Sequence, residues 1–252
     1  MTFSSKSALR PLAQTTSALP LDAASTDLRA GHEDLTEKTY RTLRELVVTR
    51  AFPPGSKVSA ESLSQRFGVS RTTIKGALDQ LAGEGLLIVR PQVGTFIRGL
   101  TAQDVRDIAD SRLMLELYAG RRGVLGATEE QRAELHTVVD QMAPLVEDQE
   151  YKQDRYEEFV ALDRRLHELV VETAGNGFLQ SIHRQISVHV HIASYRSRRG
   201  IRRAGTGLEE HRAIVGAYDR RDPGLITVTL TKHIERSRDV ALQAMEQLGD
   251  IL

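Results

Sequence analysis

Four side chains in the second half of the chain are of the types that bind transition metals. Asp163 and His167 are four residues apart in a helical stretch, so both side chains leave the same helix face one turn apart. That face also carries apolar residues, which predicts that the pair points into a helical core. His211 and His233 lie on the inward edges of two later helical stretches. Three imidazoles and one carboxylate projecting into one core predict a site for a divalent transition metal.

Other roles for these four residues remain open. A single histidine of this kind is also compatible with a hydrogen-bonded core or surface residue. A zinc site with an open position activates water, which makes a metal-dependent hydrolase an alternative function. Against the hydrolase, the stretch from His167 to Val171 lacks the second histidine of H-E-x-x-H, and no other carboxylate is clearly placed as a general base. A purely structural metal ion is the third alternative.

A second set of residues with chemical potential begins near residue 59. The stretch from Ser59 to Leu81 has the pattern of two short helices joined by a tight turn. Ser59 and Ser70 are suitable N-caps, and Gly68 can adopt the positive φ that ends the first helix. Five positions are expected to form the buried stripes of the two helices: Leu63, Phe67, Ile74, Ala77 or Leu78, and Leu81.

The start of the second of these helices presents polar side chains on the face opposite its buried stripe. These residues are Arg71, Thr72, Thr73 and Lys75. A helix that packs through one stripe and presents Arg, hydroxyls and Lys in its first turn is suited to the major groove of DNA. The alternative for Arg71 and Lys75 is an ordinary solvated helix start.

The neighbouring stretches complete a small DNA-binding fold. An apolar helical face that begins near Thr36 and ends near Arg50 predicts a preceding helix. After Gly85, residues 86–90 and 95–98 have the pattern of two short strands around Pro91 to Gly94, which predicts a hairpin or wing. Three helices followed by a wing form a winged helix-turn-helix.

From Thr101 onward the apolar periodicity is almost wholly helical. The predicted fold is therefore mainly α, with an N-terminal winged helix-turn-helix and a C-terminal antiparallel all-α bundle of six or seven helices. We predict a disordered tail at residues 1–33, a DNA-binding domain at 34–100 and the helical domain at 101–252.

Composition excludes several classes of protein. The chain has 252 residues and no cysteine, which excludes disulfides, cysteine metal ligands and cysteine nucleophiles. No apolar run approaches the ~20 residues of a membrane helix, and no signal-peptide core is visible, so we expect a cytoplasmic protein that does not enter membranes. Residues 34–100 carry ten Lys or Arg and six Asp or Glu within a chain of zero net charge. A basic front region suits a DNA-binding module.

Three tracts in residues 52–97 carry a family resemblance: F-P-P-G-S-K-V, L-S-Q-R-F-G-V-S-R-T-T-I-K-G-A-L-D-Q-L-A-G-E-G-L-L, and G-T-F-I. Together they resemble the DNA-binding domain of the GntR family of bacterial transcription regulators. The resemblance implies that Arg71 and Lys75 contact phosphates or guanine edges and that Gly94 lets the wing approach the minor groove. Lys75 and Gly76 depart from the Arg-Glu pair that is usual in the family. Lys gives a point charge where Arg gives a bidentate fork, so base discrimination at this position is weaker or shifts to Arg71 and Thr72.

The second half of the chain resembles the FCD effector domain of the same family. Three tracts occur in the family's order: F-V-A-L-D-R-R-L-H-E-L, E-H-R-A-I-V-G-A-Y-D-R-R-D and K-H-I. The resemblance implies that the family's metal-ligand positions are Asp163, His167, His211 and His233. Zinc is the first choice of metal, with nickel or manganese as alternatives, because ligand type alone does not select among them.

The resemblance also implies a small organic-acid effector above the metal. Arg112, in S-R-L-M-L-E, matches the family's arginine on the first bundle helix, and its fork suits a carboxylate. The alternative is a surface pair of Arg112 with Glu116 at i+4. His189 lies on an apolar helix stripe and either lines the same cavity or packs in the core.

Taken together, these patterns predict a metabolite-responsive transcription regulator that is most often a repressor in this family. Helix-turn-helix proteins bind two half-sites as two-fold dimers. We therefore expect a homodimer on a pseudo-palindromic double-stranded DNA operator.

Overall fold

The computed structural model of the chain describes residues 35–147, 153–195 and 200–248. The predicted tail at residues 1–33 lies outside the described residues. The N-terminal elements are α1 (Leu35–Val48), β1 (Lys57–Val58), α2 (Ala60–Phe67), α3 (Arg71–Gly83), β2 (Leu87–Arg90) and β3 (Gly94–Ile97). The C-terminal elements are α4 (Ala102–Gly126), α5 (Glu129–Glu147), α6 (Gln153–Glu172), α7 (Gly177–Tyr195), α8 (Gly200–Asp219) and α9 (Pro223–Leu248).

The helix-turn-helix forms as its cap residues predict. The Ser59 side chain accepts a hydrogen bond from the backbone N–H of Ser62 at the start of α2, and Ser70 does the same for Thr73 at the start of α3. Gly68 ends α2 with φ of 65°, in the left-handed region that glycine adopts without strain. The predicted stripe residues are all buried: Leu63, Phe67, Ile74, Ala77, Leu78 and Leu81.

The predicted wing is present as an antiparallel pair of β2 and β3, in which Arg90 lies opposite Gly94. A third strand, β1, pairs with β3 on its other side, with Lys57 opposite Phe96. The sequence does not predict β1 because two residues are too few for an alternating pattern. The predicted cap Thr36 lies inside α1 rather than before it.

Within the described part of the chain, six helices, α4 to α9, form the C-terminal bundle, in agreement with the lower predicted number. Its core is apolar and centres on α6, α8 and α9, with fully buried residues that include Leu166, Val170, Ile214, Tyr218, Ile226 and Leu230. Gly123 of α4 lies against Thr173 and Tyr218, where a side chain has no room. The long α4 and α9 pack together.

The DNA-binding region and the bundle share one hydrophobic core. The buried cluster that holds α1 to α3 together also includes Val105 of α4, Val188 of α7, and Ala241 and Met245 of α9. Thr101 caps α4 through a capping box with Asp104, so α4 begins directly after the wing. The predicted boundary at residues 100 and 101 coincides with this cap and stays a prediction.

In the part of the chain that the structure describes, no helix has both the length and the apolar character that crossing a membrane requires.

Candidate metal centre and DNA-binding surface

The structure brings the four predicted metal ligands together from three helices. Asp163 and His167 lie on α6, His211 on α8 and His233 on α9. Each side chain offers one ligand atom, and the four atoms all lie within 4.8 Å of one another. The three histidines are buried, whereas Asp163 is partly exposed. This is the arrangement that helix-bundle metal sites use, with side chains from facing helices converging on one point.

The ring nitrogens meet at short distances. The Nε2 atoms of His167 and His233 are 3.0 Å apart, and the Nε2 of His211 is 2.9 Å from Asp163 Oδ1. The other two Nε2 atoms are each 3.8 Å from the same carboxylate oxygen. Metal bonds of about 2.0–2.2 Å place tetrahedral ligands roughly 3.4 Å apart, so the observed spacing fits one shared ion.

His211 gives the clearest test of whether the residues fit a metal. Its side chain is fully buried, yet neither ring nitrogen has a hydrogen-bond partner among the described residues, because the short contact with Asp163 lacks hydrogen-bond geometry. A buried polar group without a hydrogen bond lowers the stability of the folded protein by about 1–3 kcal/mol. Such groups are therefore rare in folded proteins. An ion at the convergence point satisfies the Nε2 of His211.

Glu116 of α4 supports the site from behind His167. Its Oε2 accepts a 2.7 Å hydrogen bond from His167 Nδ1, which fixes the tautomer whose Nε2 lone pair faces the other ligands. Its Oε1 is 2.7 Å from Arg112 Nε and 3.3 Å from His183 Nε2. All of these side chains are buried. Carboxylates of this kind commonly orient metal-binding histidines.

The electrostatics of the site keep both central carboxyl groups ionised. Burial raises the pKa of Glu116, but the charge of Arg112 and the hydrogen bonds from His167 and His183 outweigh burial and hold that pKa well below its usual range. Burial likewise raises the pKa of Asp163, and its contacts with the three histidines reverse that effect and lower it. Ionised carboxylates are the form that binds metal ions and orients metal ligands.

Glu210 of α8 supports His233 in the same manner. Its Oε2 lies 3.2 Å from His233 Nδ1, and its Oε1 accepts a 2.8 Å hydrogen bond from Arg236 Nη1. Burial lowers the pKa of His233 to about 4, which keeps this ring neutral and able to bind metal. The supporting roles of Glu116, Glu210 and His183 are not among the predictions made from the sequence. A signal for Glu116 was present, because a charged residue one turn from Arg112 on the inward face of α4 is unusual.

A cavity of about 140 Å³ opens beside the cluster. It is lined by Arg112, Asp163, His211 and His233 together with apolar side chains of α4, α6 and α9. The predicted pairing of Arg112 with Glu116 exists, but the pair is buried rather than on the surface, and Arg112 still reaches the cavity. Its Nε bonds Glu116, and its two Nη atoms make no hydrogen bond among the described residues.

His189 does not line this cavity, contrary to one of the two predictions for it. His189 instead lies at the junction with the DNA-binding region, where its Nε2 is 3.0 Å from the backbone carbonyl oxygen of Glu84. It lines a separate depression with Arg98 and Asp104. Helical periodicity shows that a side chain points inward, but it does not show which neighbour the side chain meets.

The predicted DNA-contacting residues lie at one end of the helix-turn-helix. Arg71, Thr72 and Lys75 are exposed at the start of α3, while Thr73 is partly buried and its hydroxyl lies 2.8 Å from that of Ser70. Arg71 pairs with Glu61 of α2, and both side chains are mostly exposed. An exposed ion pair of this kind contributes little to stability, so Arg71 can exchange it for a phosphate or a base.

Gly94 begins β3, next to the wing turn at Pro91 to Val93 rather than at its tip. Its φ of 136° is in the region that favours glycine, and a side chain at this position meets Lys57 of β1. This backbone explains the glycine without reference to DNA. Val93 at the turn is exposed.

Comparison with known proteins agrees with the two-part architecture. The family described as bacterial regulatory proteins, gntR family, matches residues 35–97, and the FCD domain family matches residues 107–236. The chain belongs to the GntR family, in its FCD-containing branch. The two matches cover the winged helix-turn-helix and most of the bundle.

Relatives of this GntR protein are named as regulators. The HTH-type transcriptional regulator YdhC of Bacillus subtilis is 30% identical over 69% of this chain and 76% of its own length. The HTH-type transcriptional repressor RspR of Escherichia coli is 25% identical over 86% of this chain and 93% of its own. The solved structure of E. coli McbR/YncC shares the fold, with a TM-score of 0.69 and 17% identity over 84% of this chain and 98% of that one.

The GntR protein is therefore a DNA-binding transcriptional regulator and not an enzyme. The hydrolase alternative receives no support from these matches. Regulators of the GntR family bind DNA operators and effector molecules, and FCD domains include metal-binding members.

Proposed function

We propose that this GntR regulator binds one divalent transition metal through Asp163, His167, His211 and His233, with zinc as the first candidate. The observation that carries the proposal is the convergence of four ligand atoms within 4.8 Å, with a His211 ring that has no hydrogen-bond partner among the described residues. The ion supplies a Lewis-acidic centre for a carboxylate oxygen. Nickel or manganese remains compatible with the same donors.

We further propose that a small organic acid is the effector and that it binds in the cavity beside the metal. The support is Arg112, whose Nε is held by Glu116 while its two Nη atoms remain for a carboxylate. A planar guanidinium that is already oriented loses little conformational freedom when it binds both carboxylate oxygens. His189 takes no part in this site, because it lies at the junction with the DNA-binding region.

In this proposal, α3 reads the operator through Arg71, Thr72, Thr73 and Lys75, and Gly94 keeps the wing close to β1. Specific base contacts come from side chains at the start of the helix, and phosphate contacts position it. The protein acts as a repressor whose operator affinity the effector changes. The effector can do so only if it binds one arrangement of the two domains better than the other.

The cavity has a physical route to the DNA-binding region. Val105 of α4 and Ala241 of α9 line the cavity and also belong to the hydrophobic core that holds α1 to α3. Close-packed cores do not deform continuously, so a ligand that moves these walls must shift the helices that share them. The same two residues therefore belong to both the sensing region and the responding region.

We propose a homodimer formed through the outer faces of α4 and α7. Five large apolar side chains are exposed there: Met114, Tyr118 and Leu125 on α4, and Phe178 and Ile182 on α7. The contact of Glu116 with His183 places the two helices side by side, so that their exposed stripes lie at neighbouring levels. A combined apolar face of this kind is typical of an interface, and two-fold symmetry matches two operator half-sites.

Phe178→Glu tests the dimer surface, with Val228→Glu as a matched control because Val228 is an exposed apolar residue of α9 rather than of α4 or α7. We expect the Phe178 variant to be monomeric by light scattering and the control to stay dimeric. A dimeric Phe178→Glu/Tyr118→Glu double variant contradicts the proposed surface.

The experiment that tests the regulatory function is a DNA titration. A duplex selected by the wild-type protein from a random library serves as the operator, and affinity is measured by fluorescence anisotropy. We expect a panel of small organic acids to contain at least one that changes the affinity of the zinc-loaded protein by about tenfold or more. The same acid should have no effect on the Arg112→Gln protein. Equal responses of wild type and variant contradict the effector site.

A further inference from the structure

Arg236 of α9 repeats the arrangement of Arg112 on another wall of the cavity. Arg112 bonds Glu116, which holds the Nδ1 of His167, and Arg236 bonds Glu210, which lies 3.2 Å from the Nδ1 of His233. Both arginines line the cavity. Arg236 uses one nitrogen, Nη1, for Glu210, and its Nε and Nη2 make no hydrogen bond among the described residues.

The two arginines approach the cluster from different directions. The Nε2 atoms of His167 and His233 meet at 3.0 Å, and each ring turns its Nδ1 away toward its own glutamate. Each arginine thus meets the cluster through its own glutamate. Arg112 reaches the cavity from α4 and Arg236 from α9.

The cavity lining offers two guanidinium groups with N–H donors that no described residue uses, one on Arg112 and one on Arg236. Among the described residues its lining includes the three arginines Arg112, Arg236 and Arg238 and the two carboxylates Asp163 and Glu210. Arg112 is also paired with Glu116 and Arg238 with Asp239, so these carboxylates cancel the excess of positive charge on the lining. A single carboxylate bound by Arg112 leaves the unused donors of Arg236 without a partner among the described residues, whereas a second carboxylate satisfies them.

We propose that Arg236 is a second anion-binding arginine and that the effector carries two carboxylates. One carboxylate is bound by Arg112 and the metal, and the other by the free nitrogens of Arg236. This inference rests on the proposed effector site beside the metal and names the chemical class of its ligand. The cavity of about 140 Å³ suits a short diacid, since a cavity of ~150 Å³ holds a molecule the size of benzene.

A purely structural role for Arg236 predicts something different. If Arg236 only neutralises Glu210, its replacement weakens the metal site and lowers the affinity for every acid equally. If it binds the second carboxylate, its replacement removes the preference for diacids and leaves the binding of monoacids nearly unchanged. The ratio of the two affinities therefore separates ligand binding from support of Glu210.

Matched ligand pairs test the inference on the zinc-loaded, full-length protein by calorimetry. Succinate, glutarate and adipate are each compared with their monoamides, which keep the length but lose one negative charge. We expect at least one diacid to bind wild type about tenfold or more tightly than its monoamide, as one charge-assisted contact predicts. In Arg236→Gln the ratio should fall to about one. It should stay unchanged in Arg212→Gln, which loses an exposed arginine paired with Glu209.

Two results overturn the inference: no diacid is preferred by wild type, or the preference persists in Arg236→Gln. If monoamides bind in a manner that depends on Arg112, but diacids are not preferred, the inference is wrong and the proposed effector site remains supported. If no acid and no monoamide binds, both the inference and the proposed effector site are contradicted. If Arg236→Gln does not retain zinc, Arg236→Lys is used instead, because lysine keeps the charge next to Glu210 but lacks the planar fork. The ratio of diacid to monoamide affinity should then fall, and an unchanged ratio contradicts the inference.

Discussion

The imidazole of His189 in α7 donates a 3.0 Å hydrogen bond from Nε2 to the backbone carbonyl oxygen of Glu84, the residue that caps the C-terminus of α3. The side chain of Glu84 also accepts hydrogen bonds from Tyr40 and Arg44 of α1. The end of α3, the helix proposed to read DNA, is thus held by α1 on one side and by the bundle on the other. His189 therefore links α7 to the end of α3 by a hydrogen bond, beside the packing of Val188 in the shared core.

Replacing His189 is expected to weaken communication between the domains. His189→Ala removes one hydrogen bond and part of a packed ring, so the free energy of unfolding should fall by ~1 kcal/mol. Zinc binding should be retained, while the effect of an active organic acid on DNA affinity should shrink severalfold. His136→Ala, which changes an exposed histidine paired with Asp219, is the control. A full effector response in His189→Ala contradicts this role.

The same residue predicts a pH dependence. Burial lowers the pKa of His189 below its ordinary value of 6.5, and the nearby Arg98 adds to this, while Glu84 and Asp104 act in the opposite direction. The unfolded chain therefore binds a proton more readily than the folded protein, and the contribution to stability is present above pH 6.5 and decreases as the pH falls below it. Wild type should lose more stability than His189→Gln on acidification from pH 7 to pH 5 in urea titrations. Equal losses of stability in wild type and His189→Gln contradict this role of His189 in the pH dependence.

Glu116→Gln is expected to weaken metal binding without removing a ligand. The amide retains one acceptor for Arg112 or His167 but loses the negative charge that both contacts use. Loss of such a supporting carboxylate typically costs ten- to hundredfold in metal affinity. Competition with a fluorescent zinc chelator measures the change. Glu134→Gln, which alters a surface pair with Arg165, should bind zinc as wild type does, and equal affinities for all three proteins count against the role of Glu116.

Arg71→Ala should lose operator binding and keep the fold. A lost guanine or phosphate contact costs about 1–3 kcal/mol per site, and a phosphate contact also lowers the salt dependence of binding by about one ion. The exposed pair with Glu61 contributes little to stability, so thermal unfolding should hardly change. Arg220→Ala removes an exposed arginine from the bundle and should bind DNA normally. Normal operator affinity for Arg71→Ala at moderate salt refutes the groove assignment.

Local signals explain why the DNA-binding fold could be predicted from the sequence. Ser59, Gly68 and Ser70 act on backbone groups within a few residues, so their roles are visible without a structure. The i, i+4 spacing of Asp163 and His167 is likewise a property of one helix. These local features predict the helix-turn-helix and show that Asp163 and His167 lie on the same helix face.

The remaining parts depend on which helices become neighbours. Glu116 and Glu210 support the site only because α4 and α8 place them behind histidines of α6 and α9, more than twenty residues away in the chain. His189 shows the reverse case, since its inward-facing stripe meets Glu84 rather than the metal cavity. Periodicity fixes the face of a helix, but tertiary packing decides the partner.

The most direct test is the metal content of the purified protein after zinc loading and desalting, measured by plasma mass spectrometry beside its thermal unfolding. We predict about one zinc ion per chain in wild type and His136→Ala, and less than a tenth of that in His211→Ala. If the ion serves effector sensing, chelation should leave the protein folded, whereas unfolding on chelation indicates a structural ion. A His211→Ala protein that binds zinc as wild type does, or a wild type that retains none, contradicts a metal centre at these four residues.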